Sequence, residues 1–461
     1  MHHMAGFCRK FAYIMAFLLS FQLSPAGAGN LIRDTEIELV LQDSVLEMAR
    51  KAGFPDGIKI RVILDPSYNA FVVGGQTVFI HSGLLLTARS AEEILGVIAH
   101  EIGHLAAGHA PLREEAIKDA SLATALTALA AAAVAASGSA DAALGVAIGG
   151  SDRAQRRYLA VSRKDESVAD EWALSLLDSA KISSHGLTDF MRRQASQRLL
   201  PESRQSEYYT THPGAKERLS TFTDHTSQTA NENRRLSDAE IQQLARIVLK
   251  LAAYIQPPGR ARNTLHRIDW TRSSSDPSKI EPEQTSLLYA EAIGLFRRGE
   301  LDAADKLITE MVSTSPDDPW LQEFAGDVDM SAARPGQAAI HYRAALSLQP
   351  DSPQISLNLG RALIAMNDKD YLSEAISALQ SANEGEPNWG FVKRQLAIAY
   401  GKNGQVAEAD LTLAEEALLA GDKPRAAQMA NRTLSDESAA PHIRSRARDI
   451  LFQLNIQPAE K

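Results

Sequence analysis

Two histidines four residues apart, with a glutamate directly after the first, stand at His100-Glu101-Ile102-Gly103-His104. Positions four apart on a helix differ by about 40° in azimuth, so His100 and His104 point the same way. Two neutral imidazoles so placed can bind one zinc ion, and Glu101 on the neighbouring azimuth can reach a water beside it. Zinc would lower that water's pKa and polarise a peptide carbonyl, with Glu101 as the general base. Such a string also arises by chance, so its weight depends on the helix that carries it and on a third ligand.

Catalytic zinc takes three protein ligands and keeps one position for water. The metzincin spacing needs a glycine and a histidine downstream, but Ala107 and Ala110 hold those positions, with Gly108 and His109 each displaced by one. His109 lies about 140° round the helix from His104 and cannot join the same metal without a break. A carboxylate on a later helix is the expected third ligand. The segment from Ser162 to Glu171 offers one, with Ser162 as a candidate N-cap and Glu166 and Asp170 four apart on one face. By spacing alone Glu166, Asp170 and Glu171 all qualify. One carboxylate can bind metal while another holds a ligand histidine through its free N–H.

The elements that position these residues read as mixed α and β. Ile58 to Leu64 is an expected strand, and Ala70–Val73 and Gln76–Ile80 form an expected hairpin across Gly74-Gly75. Peptidases hold substrate as an added strand on a sheet edge, and Gln76 to Ile80 is the candidate edge. Ser90 with Glu93 predicts a capping box opening the metal-binding helix, with Ile94, Leu95, Ile98, Ile102 and Leu105 facing the core. Ala120 to Ser137 is an uncharged 18-residue run rich in alanine. Alanine adds little insertion energy, so a packed helix or hairpin arm is expected, with at most peripheral membrane contact.

At 461 residues, with 44% hydrophobic and 23% charged, the chain is ordinary globular protein of two or three domains. A net charge of -9 gives nucleic-acid binding no electrostatic support. Arg9-Lys10, the apolar Phe11 to Leu23 and Ala26-Gly27-Ala28 read as a signal peptide over 1–28. The sole cysteine, Cys8, lies inside it, so the mature chain would have no disulfide, cysteine nucleophile or thiolate-bound zinc. Residues 29–224 are the expected catalytic domain, and 225–284 a linker with a helix capped by Ser237 and Glu240. Beyond this the chain repeats. Pro316 and Pro350 are 34 residues apart, the tetratricopeptide period, and repeat signals continue through 285–456. Four units are expected, the third with an insertion near Asn367 to Tyr371, and a looser helical segment from Lys423 to Leu454 caps them.

These motifs together resemble the M48 family of zinc metallopeptidases, in particular its periplasmic members with C-terminal tetratricopeptide repeats. The resemblance is carried by Asn69-Ala70-Phe71, His81-Ser82-Gly83-Leu84-Leu85, the HEIGH string, Ser162-Arg163 through Glu166 to Asp170, Thr211-His212-Pro213 with Arg218, and the repeats. It implies an α+β zincin-like domain followed by an α-helical repeat domain, with one zinc per chain on His100, His104 and Glu166. Asp170 then supports catalysis from behind the ligands. The family's middle carboxylate is replaced by Val168. His212-Pro213 resembles a loop element that fills the zinc's fourth position and keeps such enzymes latent, and Arg218 is expected to steady the acidic pair or an oxyanion.

The implied function is an exported, periplasmic endopeptidase degrading misfolded or stalled envelope and outer-membrane proteins. Its repeats would recruit substrate or assembly machinery. The rival from another class is a periplasmic chaperone or adaptor for outer-membrane protein assembly in which proteolysis is latent.

Overall fold

The computed structural model describes residues 31–73, 75–109, 163–197, 206, 208, 212–229, 236–257, 259–270 and 284–456. The expected signal peptide, the alanine-rich run, Ser162 and Gly74 lie outside the described residues. Two compact units divide the chain, one over Gly29–Leu287 and the other over Leu288–Lys461.

In the first unit a four-stranded sheet runs in the order β1-β2-β4-β3. These strands are β1 (Leu31–Ile32), β2 (Lys59–Ile63), β3 (Ala70–Val73) and β4 (Thr77–His81). The β3–β4 hairpin pairs Phe71 with Phe79 and Val72 with Val78, and Gly75 takes φ +89° at its turn. Alternation buries Ile60, Val62, Val78 and Ile80 completely, which fixes the register. The hairpin forms as expected, but the candidate edge is wrong. β4 is paired on both sides, parallel to β2 and antiparallel to β3, so its main chain is already engaged. The open edge beside the site is β3, which packs against the metal-binding helix.

Helices α1 (Thr35–Ser44), α2 (Leu46–Lys51), α3 (Ser82–Thr87) and α4 (Ala91–Ala106) surround the sheet. Only half of the expected capping box at α4 forms. Ser90 Oγ accepts from Glu93 N at 3.2 Å, while the Glu93 carboxylate accepts instead from Tyr68 Oη, Arg89 N and Arg193. Glu93 is buried, and two side-chain donors inside the fold outcompete the cap's own N–H. Ile94, Leu95, Ile98 and Ile102 are fully buried, each contributing about 1.5–3 kcal/mol, whereas Leu105 is only partly covered. The opposite face is not solvated either, since every residue from Ala91 to His104 is buried.

That polar face is covered by α5 (residues 163–179), which approaches closely at one point. A Cβ on Gly103 would meet Ala169 O at 2.6 Å, so the glycine inside HEIGH is what lets the two helices meet. Next come α6 (His185–Ser196), α7 (Ala215–Gln228) and α8 (Asp238–Ile255). The capping box at Ser237 and Glu240 forms in full. Lys250 of α8 is buried on Asp34 and Glu36, which ties this helix to the start of α1. After α9 (Ala261–Leu265) the sequence enters the helical repeats.

The repeats are α10 (Gln284–Arg297) with α11 (Leu301–Thr314), α12 (Pro319–Ser331) with α13 (Pro335–Leu348), and α14 (Pro353–Met366) with α15 (Leu372–Gly385). Then come α16 (Gly390–Lys402) with α17 (Val406–Leu419), and α18 (Lys423–Ser435) with α19 (Pro441–Gln453). From α11 onward each helix packs on the next. Proline at the first turns of α12, α13 and α14, with Asp318 and Ser352 capping, sets those starts. The third unit's insertion is a left-handed Asn367 followed by a 3-10 turn at Lys369–Tyr371. The looser terminal segment is a fifth helix pair, its Ala430, Ile450 and Leu451 sharing one core with Leu411 of α17. Among the described residues no helix is long and apolar enough to cross a membrane.

Candidate metal centre

Three separate stretches meet at the polar face of α4. His100, Glu101 and His104 come from α4, Glu166 and Asp170 from α5, and His212 from the residues just before α7. Each is 2% exposed or less. His100 Nε2 lies 3.1 Å from His104 Nε2, 3.2 Å from Glu166 Oε2 and 3.4 Å from His212 Nδ1. His104 Nε2 is 3.4 Å from Glu166 Oε1, and His212 Nδ1 is 3.0 Å from Glu166 Oε2.

These ring nitrogens and carboxylate oxygens are packed around a single point away from water. Ligands of a tetrahedral zinc, with bonds of about 2.0–2.1 Å, lie about 3.3 Å from each other. The four side chains are spaced as that geometry requires, and one atom from each lies within 4.8 Å of all the others. Their types, three imidazoles and a carboxylate, suit a borderline divalent cation. The cluster therefore fits a metal ion.

Asp170 and Arg218 stand behind this cluster. Asp170 Oδ1 is 3.0 Å from His100 Nδ1, the nitrogen turned away from the cluster. Arg218, on the first turn of α7, donates from Nε and Nη2 to Asp170 at 2.6 Å each and from Nη1 to Glu166 at 2.8 Å. Of the two roles left open for Arg218, the structure places its donors on the acidic pair. Burial opposes the Arg218 cation, but Asp170 and Glu166 outweigh it and hold its pKa above the usual value. Burial alone would raise the Glu166 carboxyl, yet His212 and Arg218 hold it well below the usual carboxylate range. Burial likewise opposes the His100 imidazolium, and contacts with Asp170 and Glu166 reverse this, raising it to about 9. A metal ion there would thus replace a proton in an environment that already favours positive charge.

Glu101 is fully buried, and its Oε1 is 3.6 Å from His212 Nε2. Glu171, an equal candidate by spacing, is exposed and takes no part. Two contacts were missed in the sequence. Tyr208 stacks on His212 with ring centroids 4.1 Å apart and 20° between planes. Its signal was an aromatic four residues before the histidine, and the His212 N–H does bond back to Tyr208 O at 2.9 Å. The other is His109, whose Nδ1 is 2.9 Å from His104 Nδ1.

An HExxH helix packed against a carboxylate helix, ahead of α-helical repeats, is the arrangement a zincin-type metallopeptidase uses. Residues 37–226 match the model of Peptidase family M48, so this stretch of the chain is similar to the peptidase domain of that family. The chain is 26% identical over 330 residues to the putative beta-barrel assembly-enhancing protease of Vibrio cholerae, spanning 71% of this chain and 65% of that one. It is 24% identical over 372 residues to the beta-barrel assembly-enhancing protease of Yersinia pestis, spanning 80% and 72% of the two chains. The repeat region is also similar to a crystal structure of MamA, at 18% identity over 36% of this chain and 92% of that one, with a TM-score of 0.28. That last likeness is too slight to bear on function.

Proposed function

We propose that the protein is an exported zinc endopeptidase of the periplasm acting on misfolded or stalled envelope and outer-membrane proteins. The observation that carries the chemistry is the convergence of His100, His104, Glu166 and His212 on one buried point. The beta-barrel assembly named for its Vibrio and Yersinia relatives supports the envelope context. In this reading residues 1–28 direct export, 29–224 cleave, 225–284 connect, and 285–456 recruit substrate or assembly machinery by their concave helical surface.

Zinc on His100, His104 and Glu166 would supply Lewis acidity toward a peptide carbonyl and lower the pKa of an attacking water. Glu101 takes that water's proton and delivers it to the leaving amine. Asp170 holds His100 in the tautomer whose Nε2 lone pair faces the site, and Arg218 fixes Asp170 and Glu166 together. The substrate strand adds to the open edge of β3 by main-chain hydrogen bonds, which makes selection largely independent of sequence.

His212 supports a latent state. Its Nδ1 lies among the ligand atoms while Tyr208 stacks on its ring, so His212 stands where it could take the fourth position in place of water. The expected result is that His212→Ala cleaves an unfolded outer-membrane protein roughly ten-fold or more faster than wild type, the gain tracking the population released from the closed state. Unchanged or slower cleavage would count against the plug. Anomalous scattering at the zinc edge tests the centre itself. One peak per chain among His100, His104 and Glu166 is expected, and none would remove the mechanism.

A further inference from the structure

An imidazole that binds metal through Nε2 carries its proton on Nδ1, and that N–H needs a fixed acceptor. For His100 a carboxylate stands there, Asp170, with Oδ1 3.0 Å from Nδ1. His104 turns its Nδ1 to the Nδ1 of His109, 2.9 Å away, with ring centroids 5.2 Å apart and planes at 63°. His109 is itself buried, and its Nε2 is 3.7 Å from Asp165 Oδ1 on α5, one residue before Glu166. The polarity is consistent along the chain. If His104 donates from Nδ1, His109 accepts at Nδ1, carries its own proton at Nε2, and turns that proton toward a carboxylate.

A continuous helix would carry His109 away from His104, and the chain does not continue as one. Ala107 N bonds to Gly103 O and Gly108 N to Leu105 O, each at 3.0 Å, and Gly108 takes φ +69°. This left-handed turn ends α4 and swings His109 back beneath His104. The same segment thus supplies a ligand, a helix stop and a histidine set against the ligand's far nitrogen.

We propose that His109, backed by Asp165, is a positioning residue that holds His104 in its metal-binding tautomer and orientation. The proposal rests on the reading of the cluster as a metal centre. It gives the His109–Asp165 pair the part for His104 that Asp170 and Arg218 play for His100. His109 does not enter the metal's ligand shell, since its near nitrogen faces Nδ1 and not Nε2 of His104.

The test compares His109→Leu, which removes the acceptor, with His109→Gln, whose amide oxygen can accept the same N–H. Asp165→Asn, at a site with 14% side-chain exposure, provides a variant that should fold regardless. Zinc affinity is measured by chelator competition, the cobalt-substituted protein by its visible absorption, and metal-free protein by its thermal midpoint. His109→Leu is expected to weaken zinc binding about 10–100-fold and to shift the cobalt bands. His109→Gln should recover most of that affinity, and Asp165→Asn should lose several-fold, with the metal-free midpoints of Leu and Gln variants alike. Wild-type zinc affinity and cobalt spectrum in His109→Leu would overturn the proposal. So would equal losses in Leu and Gln variants accompanied by a lowered metal-free midpoint, which marks a packing role only. Failure of wild-type protein itself to bind zinc or cobalt would instead overturn the metal-centre reading, and this proposal with it.

Discussion

Glu101→Gln is expected to lower peptide hydrolysis by about 10²–10⁴-fold while leaving metal content at the wild-type level. The substitution is nearly isosteric, and the site is fully buried, so packing gives no reason for the helix to shift. What changes is chemistry: a carboxylate can take a proton from water, and an amide cannot. The metal should stay, because Glu101 is outside the four-residue cluster, with its Oε1 3.6 Å from His212 Nε2. The measurement pairs elemental analysis for zinc with cleavage of an unfolded outer-membrane protein, ideally in the His212→Ala background where turnover is highest. Cleavage at the parent rate would place the base elsewhere. If the inactive variant still restores envelope integrity in a deletion strain, the adaptor reading gains and the protease reading of the cellular role fails.

Arg218→Ala should cost about 3–5 kcal/mol, the usual penalty for stripping the counter-charge from buried carboxylates. Three of its donors reach Asp170 and Glu166, both 2% exposed or less, and water cannot take their place. For a unit of this size the midpoint of thermal unfolding should fall by roughly 10 °C. The loss should shrink when excess zinc is present, because a bound cation supplies positive charge to the same carboxylates and favours the folded state by mass action. Arg218→Lys should recover little, since a single ammonium cannot reproduce the bidentate contact with Asp170. Differential scanning calorimetry with and without a chelator reads both effects. A midpoint within a degree or two of wild type would mean that the acidic pair does not depend on Arg218.

HEIGH, the β3–β4 hairpin and the repeat period were legible because each is a local pattern. Helical azimuth puts His100 beside His104, Gly-Gly announces a turn, and a 34-residue period needs only counting. The choice among Glu166, Asp170 and Glu171 was not legible from spacing. It depends on which face of α5 meets Gly103, and that is decided by tertiary packing. The family resemblance supplied the assignment that spacing left open. The substrate edge went wrong for a similar reason, since a hairpin shows which strands pair but not which one takes a third partner, and β2 pairs with β4. At Ser90 the local rule competed with long-range contacts. Glu93 had Tyr68 and Arg193 available, and the cap lost its reciprocal bond. His109 was excluded as a ligand on helical geometry, which holds only up to the left-handed Gly108.

The separation of His100 from His212, 112 positions along the chain, has a consequence for timing. During synthesis the HEIGH string emerges well before Glu166, Asp170, His212 and Arg218. Closing a loop of that length is entropically slow compared with forming α4 or the hairpin. A chain made only as far as α4 therefore has Glu101 but not yet Glu166 or Asp170. When the last pieces arrive they come together, for His212 precedes Arg218 by only six positions. The segment that brings Arg218, which fixes Asp170 and Glu166, therefore also brings His212 to the centre.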